Sequence, residues 1–202
     1  MKKGIVFFAG LLLAACQSAP PSSQPPVPPL SAPQAQPQPS PATPAPEKLA
    51  TAGPLTSANV EKYLDGLERG LRVLFKGQNV RIARRGESLL ITLPNADVFA
   101  GDDISPSGAG LIGLVARALR FYDHTVGQVN GYTDTYGPAA RNVAVSQAKA
   151  KLVADALAQY GVAAGRIAAH GFGSADLKIV TADQVSEPRN LRIEIDILPK
   201  PE

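Results

Sequence analysis

Tryptophan is missing from this 202-residue chain, and cysteine and methionine occur once each. A lone cysteine excludes an internal disulfide and a zinc centre built from cysteines. The only histidines, His124 and His170, lie far from any serine or cysteine nucleophile pattern, so no catalytic set emerges and no metal or cofactor is expected. Charge of one sign is scarce as well. The formal net charge is +3, and once Lys2 and Lys3 are set aside as part of a leader, 18 basic residues face 17 acidic ones. No run of five Lys or Arg occurs, so a nucleic-acid partner is not expected. Long apolar runs are lacking too, since the run at residues 4–15 falls short of the roughly 20 residues that span a bilayer as a helix.

What is present begins with that short run, preceded by two lysines and followed by Cys16. This is the layout of a signal peptide, residues 1–15. Leu13-Ala14-Ala15-Cys16 resembles a bacterial lipobox, which implies cleavage before Cys16 and acylation of its thiol and new amino group. The alternative is a free thiol. Several acyl chains on one residue suffice for stable anchoring where one would be marginal. Gln17 lacks an aspartate's retention signal, and lipoprotein sorting then implies the outer membrane, with the rest of the chain facing the periplasm.

Residues 16–55 are rich in Pro, Ala, Ser and Gln, with twelve prolines from Pro20 to Pro46. Such a segment cannot bury apolar surface and reads as a semi-extended linker. At about 3.1 Å per residue, its proline-rich part reaches up to roughly 80 Å. A ligand for proline-recognition domains is the other reading, but Arg or Lys flanks are missing.

Residues 56–202 hold enough chain for one core. Ser57 is placed to cap a helix whose Val60, Leu64, Leu67, Leu71 and Leu74 recur at helical spacing. That stripe is either core or a seam for another envelope protein. A hairpin of strands at 80–83 and 89–93 follows, and Ser105-Pro106 open a helix that buries Leu111, Leu114, Val115, Ala118 and Leu119. Gly108, Gly110 and Gly113 fit the GxGxxG spacing of dinucleotide sites, but they fall inside this helix rather than in a turn after a strand, so the match is rejected. Strands are expected at 126–131, 166–171 and 191–197. In the last, Leu191, Ile193, Ile195 and Ile197 alternate with Arg192, Glu194 and Asp196, as in a strand with one covered face. The order predicts an α+β sandwich, a mixed sheet covered by two to three helices on one face.

The most informative stretch is 131–153. Asp134 precedes Gly137-Pro138, a turn leading into a helix on which Asn142, Ser146 and Lys149 form one polar stripe. Val145, Ala148, Leu152 and Ala156 on the neighbouring face are expected to pack on the sheet. Four extended residues carry the chain roughly 13 Å past Asp134, and eleven helical residues return it by about 16 Å, which brings Asp134 and Lys149 level. The two charges could pair with each other, take the opposite charges of a zwitterionic ligand, or form a solvated surface pair. Asp102, Asp103 and Asp134 also raise a wall hydrolase, but no second carboxylate in a distinct environment completes an acid/base pair.

The spacing Thr133-Asp134, ten residues, Val145-Ser146, two residues, Lys149-Ala150, two residues, Val153 resembles the peptidoglycan-binding signature of the OmpA-like C-terminal domain family. That signature reads TD, ten, LS, two, RA, two, V. Gly161-Val162, Arg166-Ile167 and Gly171-Phe172-Gly173 resemble its second half, and residues 190–195 resemble its closing NRRVEI strand. Val145, Lys149 and Leu191 depart from the pattern, and so does Ala100, where an acidic residue often follows the Phe. The resemblance implies a lipoprotein that binds peptidoglycan and is not an enzyme, its ligand being the diaminopimelate of the peptide stem. On that carry-over Asp134 takes the ligand's ammonium and Lys149 its carboxylate, while Thr133, Asn142 and Ser146 line the pocket. An adaptor for other envelope proteins, working through the first helix, is the competing expectation.

Overall fold

Strand β5 (Thr125–Tyr132) alternates so that Thr125, Gly127, Val129 and Gly131 are buried while Gln128 is exposed. Around this strand a computed structural model, which describes residues 55–200, assembles the rest. The leader, Cys16 and the proline-rich segment lie outside the described residues.

Helix α1 (Val60–Leu74) leads into β1 (Arg81–Arg85), β2 (Ser88–Pro94), a one-turn helix α2 (Asn95–Val98) and the short strands β3 (Phe99–Ala100) and β4 (Asp103–Ile104). Helix α3 (Pro106–Phe121), β5, helix α4 (Ala139–Gln159), β6 (Ile167–Gly173) and β7 (Arg192–Pro199) complete the order. The main sheet runs β1-β2-β7-β5-β6. Only β5 and β6 are parallel, and α4 is their crossover. The fold is the α+β arrangement that the sequence predicts.

Local signals explain most helix boundaries. Ser105 caps α3, its Oγ accepting a hydrogen bond from Gly108 N at 2.9 Å, with Pro106 in the first turn. Gly161, at φ +88°, follows the C-cap of α4 and ends it. At the start of α1 the capping position falls on Asn59 rather than Ser57.

Val60, Leu64, Leu67 and Leu71 of α1 are buried against Leu89, Ile91 and Leu93 of β2 and the α3 face of Leu111, Ile112, Val115 and Leu119. The leucine stripe is therefore core. Presenting it to a partner would forfeit about 1.5–3 kcal/mol per side chain, so the first helix is not an adaptor seam through these residues. Leu114 is only partly buried, its expected place being taken by Ile112 and Ala116. Among the described residues no helix is long and apolar enough to cross a membrane.

Two expectations are overturned. Helix α4 faces the sheet with Asn142, Ser146, Ala150, Val153 and Leu157, while Ala148 and Leu152 are exposed. The polar stripe is thus on the packed side. The cause is close approach: a Cβ on Gly131 would stand 2.3 Å from Ser146 O, and one on Gly171 2.2 Å from Gln147 N. With the backbones this near, only small side chains fit in the first turns of α4. In β7 the polar side is not open either, because Arg192 and Glu194 are each 2% exposed. Helices cover the Ile193, Ile195 and Ile197 side, and the loop of residues 174–191 covers the other, with Asp176 and Lys178 reaching the buried charges.

Candidate functional site

Residues 133–137 leave the end of β5 and turn into α4, and that turn is fastened from two directions. Thr133 N donates to Gly173 O at 2.8 Å, and Gly173 N in turn donates to Ser146 Oγ at 2.9 Å. Asn142 Nδ2 donates to Asp134 O at 3.2 Å, so Thr133, Asp134, Asn142 and Ser146 share one locus. All four are buried.

The Asp134 carboxylate accepts two backbone donors, Tyr136 N at 3.1 Å on Oδ1 and Glu187 N at 3.0 Å on Oδ2. A carboxylate offers about four lone-pair directions, so capacity remains for a ligand donor. Glu187 belongs to a strap, residues 181–187, that is tied to the same turn. Gln184 uses its amide twice, accepting from Gly137 N at 3.1 Å and donating to Gly137 O at 3.2 Å. Thr135 Oγ1 donates to Ala182 O at 2.7 Å. Gln184 sits at φ +61°, a left-handed conformation that costs energy outside glycine and is held here by these bonds. One atom at the locus is left over, because the buried Thr133 Oγ1 has no hydrogen-bond partner.

Lys149 lies on the same side of α4, one turn beyond Ser146, and does not meet Asp134. Its Nζ donates to Asn95 Oδ1 at 3.1 Å and rests 4.8 Å from the centre of the Phe99 ring. Burial pulls its pKa below the usual lysine value, opposed by the charge of Asp102. Among the described residues neither Lys149 nor Asp134 belongs to an ion pair. The structure therefore gathers four of the expected site residues and sets the fifth, a half-buried ammonium with neutral partners, further along the helix. Asn95 escaped the sequence reading because it lies 54 positions from Lys149 and carries no motif.

Among the described residues no group of three His, Cys, Asp or Glu is arranged for an ion. A cavity bounded by Leu55, Thr56, Val60, Arg85, Ser88 and Leu198 is at the opposite end of the sheet, where β5 begins and β7 ends, and involves none of the site residues.

Residues 99–191 match the family model described as OmpA family. The chain is 34% identical over 139 residues to "Probable lipoprotein YiaD" of Escherichia coli, a match covering 68% of this chain and 64% of that protein. It is also 34% identical over 95 residues to "Peptidoglycan-binding protein ArfA" of Mycobacterium tuberculosis, covering 47% of this chain and 29% of the relative. The chain thus spans less than two thirds of these relatives' lengths. Among solved structures, the cell wall anchor of the T6SS from Pseudomonas aeruginosa superposes with a TM-score of 0.57 at 28% identity, over 66% of this chain and 97% of that one.

Proposed function

From the premise that residues 99–191 are an OmpA-family domain, we propose that this protein is a lipoprotein that binds peptidoglycan without cleaving it and tethers the outer membrane to the wall. Support comes from relatives whose names describe peptidoglycan binding, a lipoprotein and a cell wall anchor. In this reading residues 1–15 are removed, acylated Cys16 holds the membrane, residues 16–55 cross the gap, and the domain of residues 56–202 grips the diaminopimelate of the peptide stem.

The observation that carries the finer reading is the pair of unpaired charges. Keeping Lys149 half-buried beside Asn95 and Phe99 costs desolvation that the charge of Asp102 offsets only in part, and no ion pair completes it. Asp134 likewise has backbone donors and no cation. The side-chain end of diaminopimelate carries an ammonium and a carboxylate, and so supplies what each lacks: Asp134 takes the ammonium and Lys149 the carboxylate. Thr133 Oγ1, otherwise without a partner, hydrogen-bonds the ligand, with Asn142 and Ser146 holding the turn that presents it.

Titration of the domain with a diaminopimelate-containing stem peptide tests this. Arg meets a carboxylate with two parallel hydrogen bonds and Lys with a point charge. Lys149→Arg is expected to tighten binding by about 1 kcal/mol, or roughly fivefold, and can keep the stacking on Phe99. Lys149→Ala weakens binding. Unchanged affinity in Lys149→Ala would return the residue to a structural role. The anchor has its own test, in which Cys16→Ser leaves the protein unacylated. Cell fractionation is expected to find the variant out of the outer membrane, and a variant still in that fraction would mean that the wall or a partner retains the protein by itself.

A further inference from the structure

The helix-free face of the sheet carries a stack of planar groups that the stem-peptide site does not use. Tyr132 and Phe172 lie side by side at the ends of β5 and β6, ring centres 5.3 Å apart and planes within 13°. The guanidinium of Arg192 sits 3.9 Å from the centre of the Tyr132 ring. It is fixed in turn by Glu194 Oε1 at 2.8 Å and by Asp176 Oδ2 at 3.0 Å. The stack is rigid at its base and open at its tip, where Phe172 is 42% exposed.

This tip borders the proposed stem site through the backbone. Tyr132 is followed directly by Thr133 and Asp134, and Phe172 by Gly173, which bonds both Thr133 and Ser146. On the same face, one register step back, Asn130 is paired with His170, and the buried Asn130 Oδ1 has no partner. The carboxylates nearest the stack, Glu194 and Asp176, are occupied by Arg192 and Lys178. The exposed surface is thus the Phe172 ring on the open face of β6, beside the exposed His170.

We propose that Phe172, backed by Tyr132 and Arg192, is a sugar-stacking subsite that takes the glycan strand from which the stem peptide hangs. The inference rests on the peptidoglycan reading above and extends it from the peptide to the glycan. An aromatic face is electron-rich and attracts the weakly positive C–H bonds on one face of a pyranose ring, while the ring's hydroxyl and acetamido groups need polar partners such as His170, exposed beside Phe172. Distance agrees. Diaminopimelate is the third residue of the stem, so about 10 Å of extended peptide separates it from the sugar. Tyr132 lies two residues from Asp134, about 7 Å along the chain, and Phe172 is one strand further across. A free strand-edge aromatic could instead serve only to cover the edge of β6, and the experiment separates the two roles.

Binding of the intact domain is measured for two ligands, the free stem peptide and the same peptide carried on its N-acetylglucosamine–N-acetylmuramic acid disaccharide. The wild-type domain is expected to bind the disaccharide form about fivefold more tightly. Phe172→Ala erases that advantage while leaving the free-peptide affinity unchanged, and Phe172→Leu, apolar but not aromatic, behaves like Phe172→Ala. Sugar ring protons shift upfield in proton NMR on binding the wild type and not the variants. Equal affinity of the wild type for the two ligands, or an advantage that survives in Phe172→Ala, overturns the subsite and leaves the stem site standing. Failure of the wild type to bind either ligand overturns both.

Discussion

Asp134→Ala is expected to release the domain from purified sacculi. Removing one partner of a buried charge pair costs about 2–5 kcal/mol, which corresponds to a loss of affinity from about thirtyfold to several thousandfold. Two effects add. The ligand ammonium loses its proposed counter-charge, and the backbone donors of Tyr136 and Glu187 lose their acceptor, which slackens the strap of residues 181–187. Asp134→Asn separates them, since an amide oxygen still accepts a backbone N–H but carries no charge. Titration with the stem peptide is expected to show Asp134→Asn nearly as weak as Asp134→Ala, with a melting temperature closer to wild type. Wild-type affinity in Asp134→Asn would reduce the residue to a turn fastener. Combining Asp134→Ala with Lys149→Ala is expected to cost less than the sum of the two under the proposal that one ligand bridges both groups.

The second large effect concerns stability. Arg192 is almost wholly buried and holds Glu194 at 2.8 Å, the carbonyl of Asp176 at 3.0 Å and the Asp176 carboxylate at 3.0 Å. Arg192→Ala leaves Glu194 buried with Lys178 alone, and breaking a buried pair in this way costs about 3–5 kcal/mol. Calorimetry is expected to show a fall in melting temperature of ten degrees or more, since each kcal/mol is worth about 4 °C in a domain of this size. A fall of only a degree or two would show that the loop of residues 174–191 re-solvates Glu194 at little cost. The pair also sets a pH dependence. Burial pushes the Glu194 carboxyl up, but the hydrogen bond and charge of Arg192, joined by Lys178, outweigh it and leave the pKa below the ordinary value. The folded form therefore holds its proton more weakly than the unfolded chain. That contribution to stability is complete above the unfolded carboxylate value and is lost as pH falls through the lowered one. Glu194→Gln flattens this acid limb.

Most of the fold was readable because its signals are local. The α1 leucines repeat within one helix, Ser105-Pro106 and Gly161 mark ends by the chemistry of three or four neighbours, and the alternation in β5 and β7 needs no distant partner. The two overturned expectations came from contacts far apart in sequence. Which face of α4 packs inward is decided by Gly131 and Gly171, on two different strands, whose missing side chains let the helix settle on its polar stripe. Arg192 and Glu194 look like the wet side of a strand until a loop anchored by Asn190, which bonds both the N–H and the C=O of Ile179, folds over them. At the site, the spacing from Thr133 to Lys149 marked the residues but not that Lys149 turns to Asn95 and Phe99.

The placement of Leu55 by the far end of the sheet, with the turn at Asp134 at the other, has a mechanical side. About 26 Å of β5 separates the point where the proposed tether enters from the proposed wall site. Under the proposed function, tension between membrane and wall is directed along the strands. β5 is flanked on both sides, by β7 and by β6, with inter-strand bonds lying across the line of pull. Such bonds share a load in shear and must yield together, whereas bonds pulled open from one end yield one by one. On that reading the domain transmits force between its two ends rather than unravelling under it.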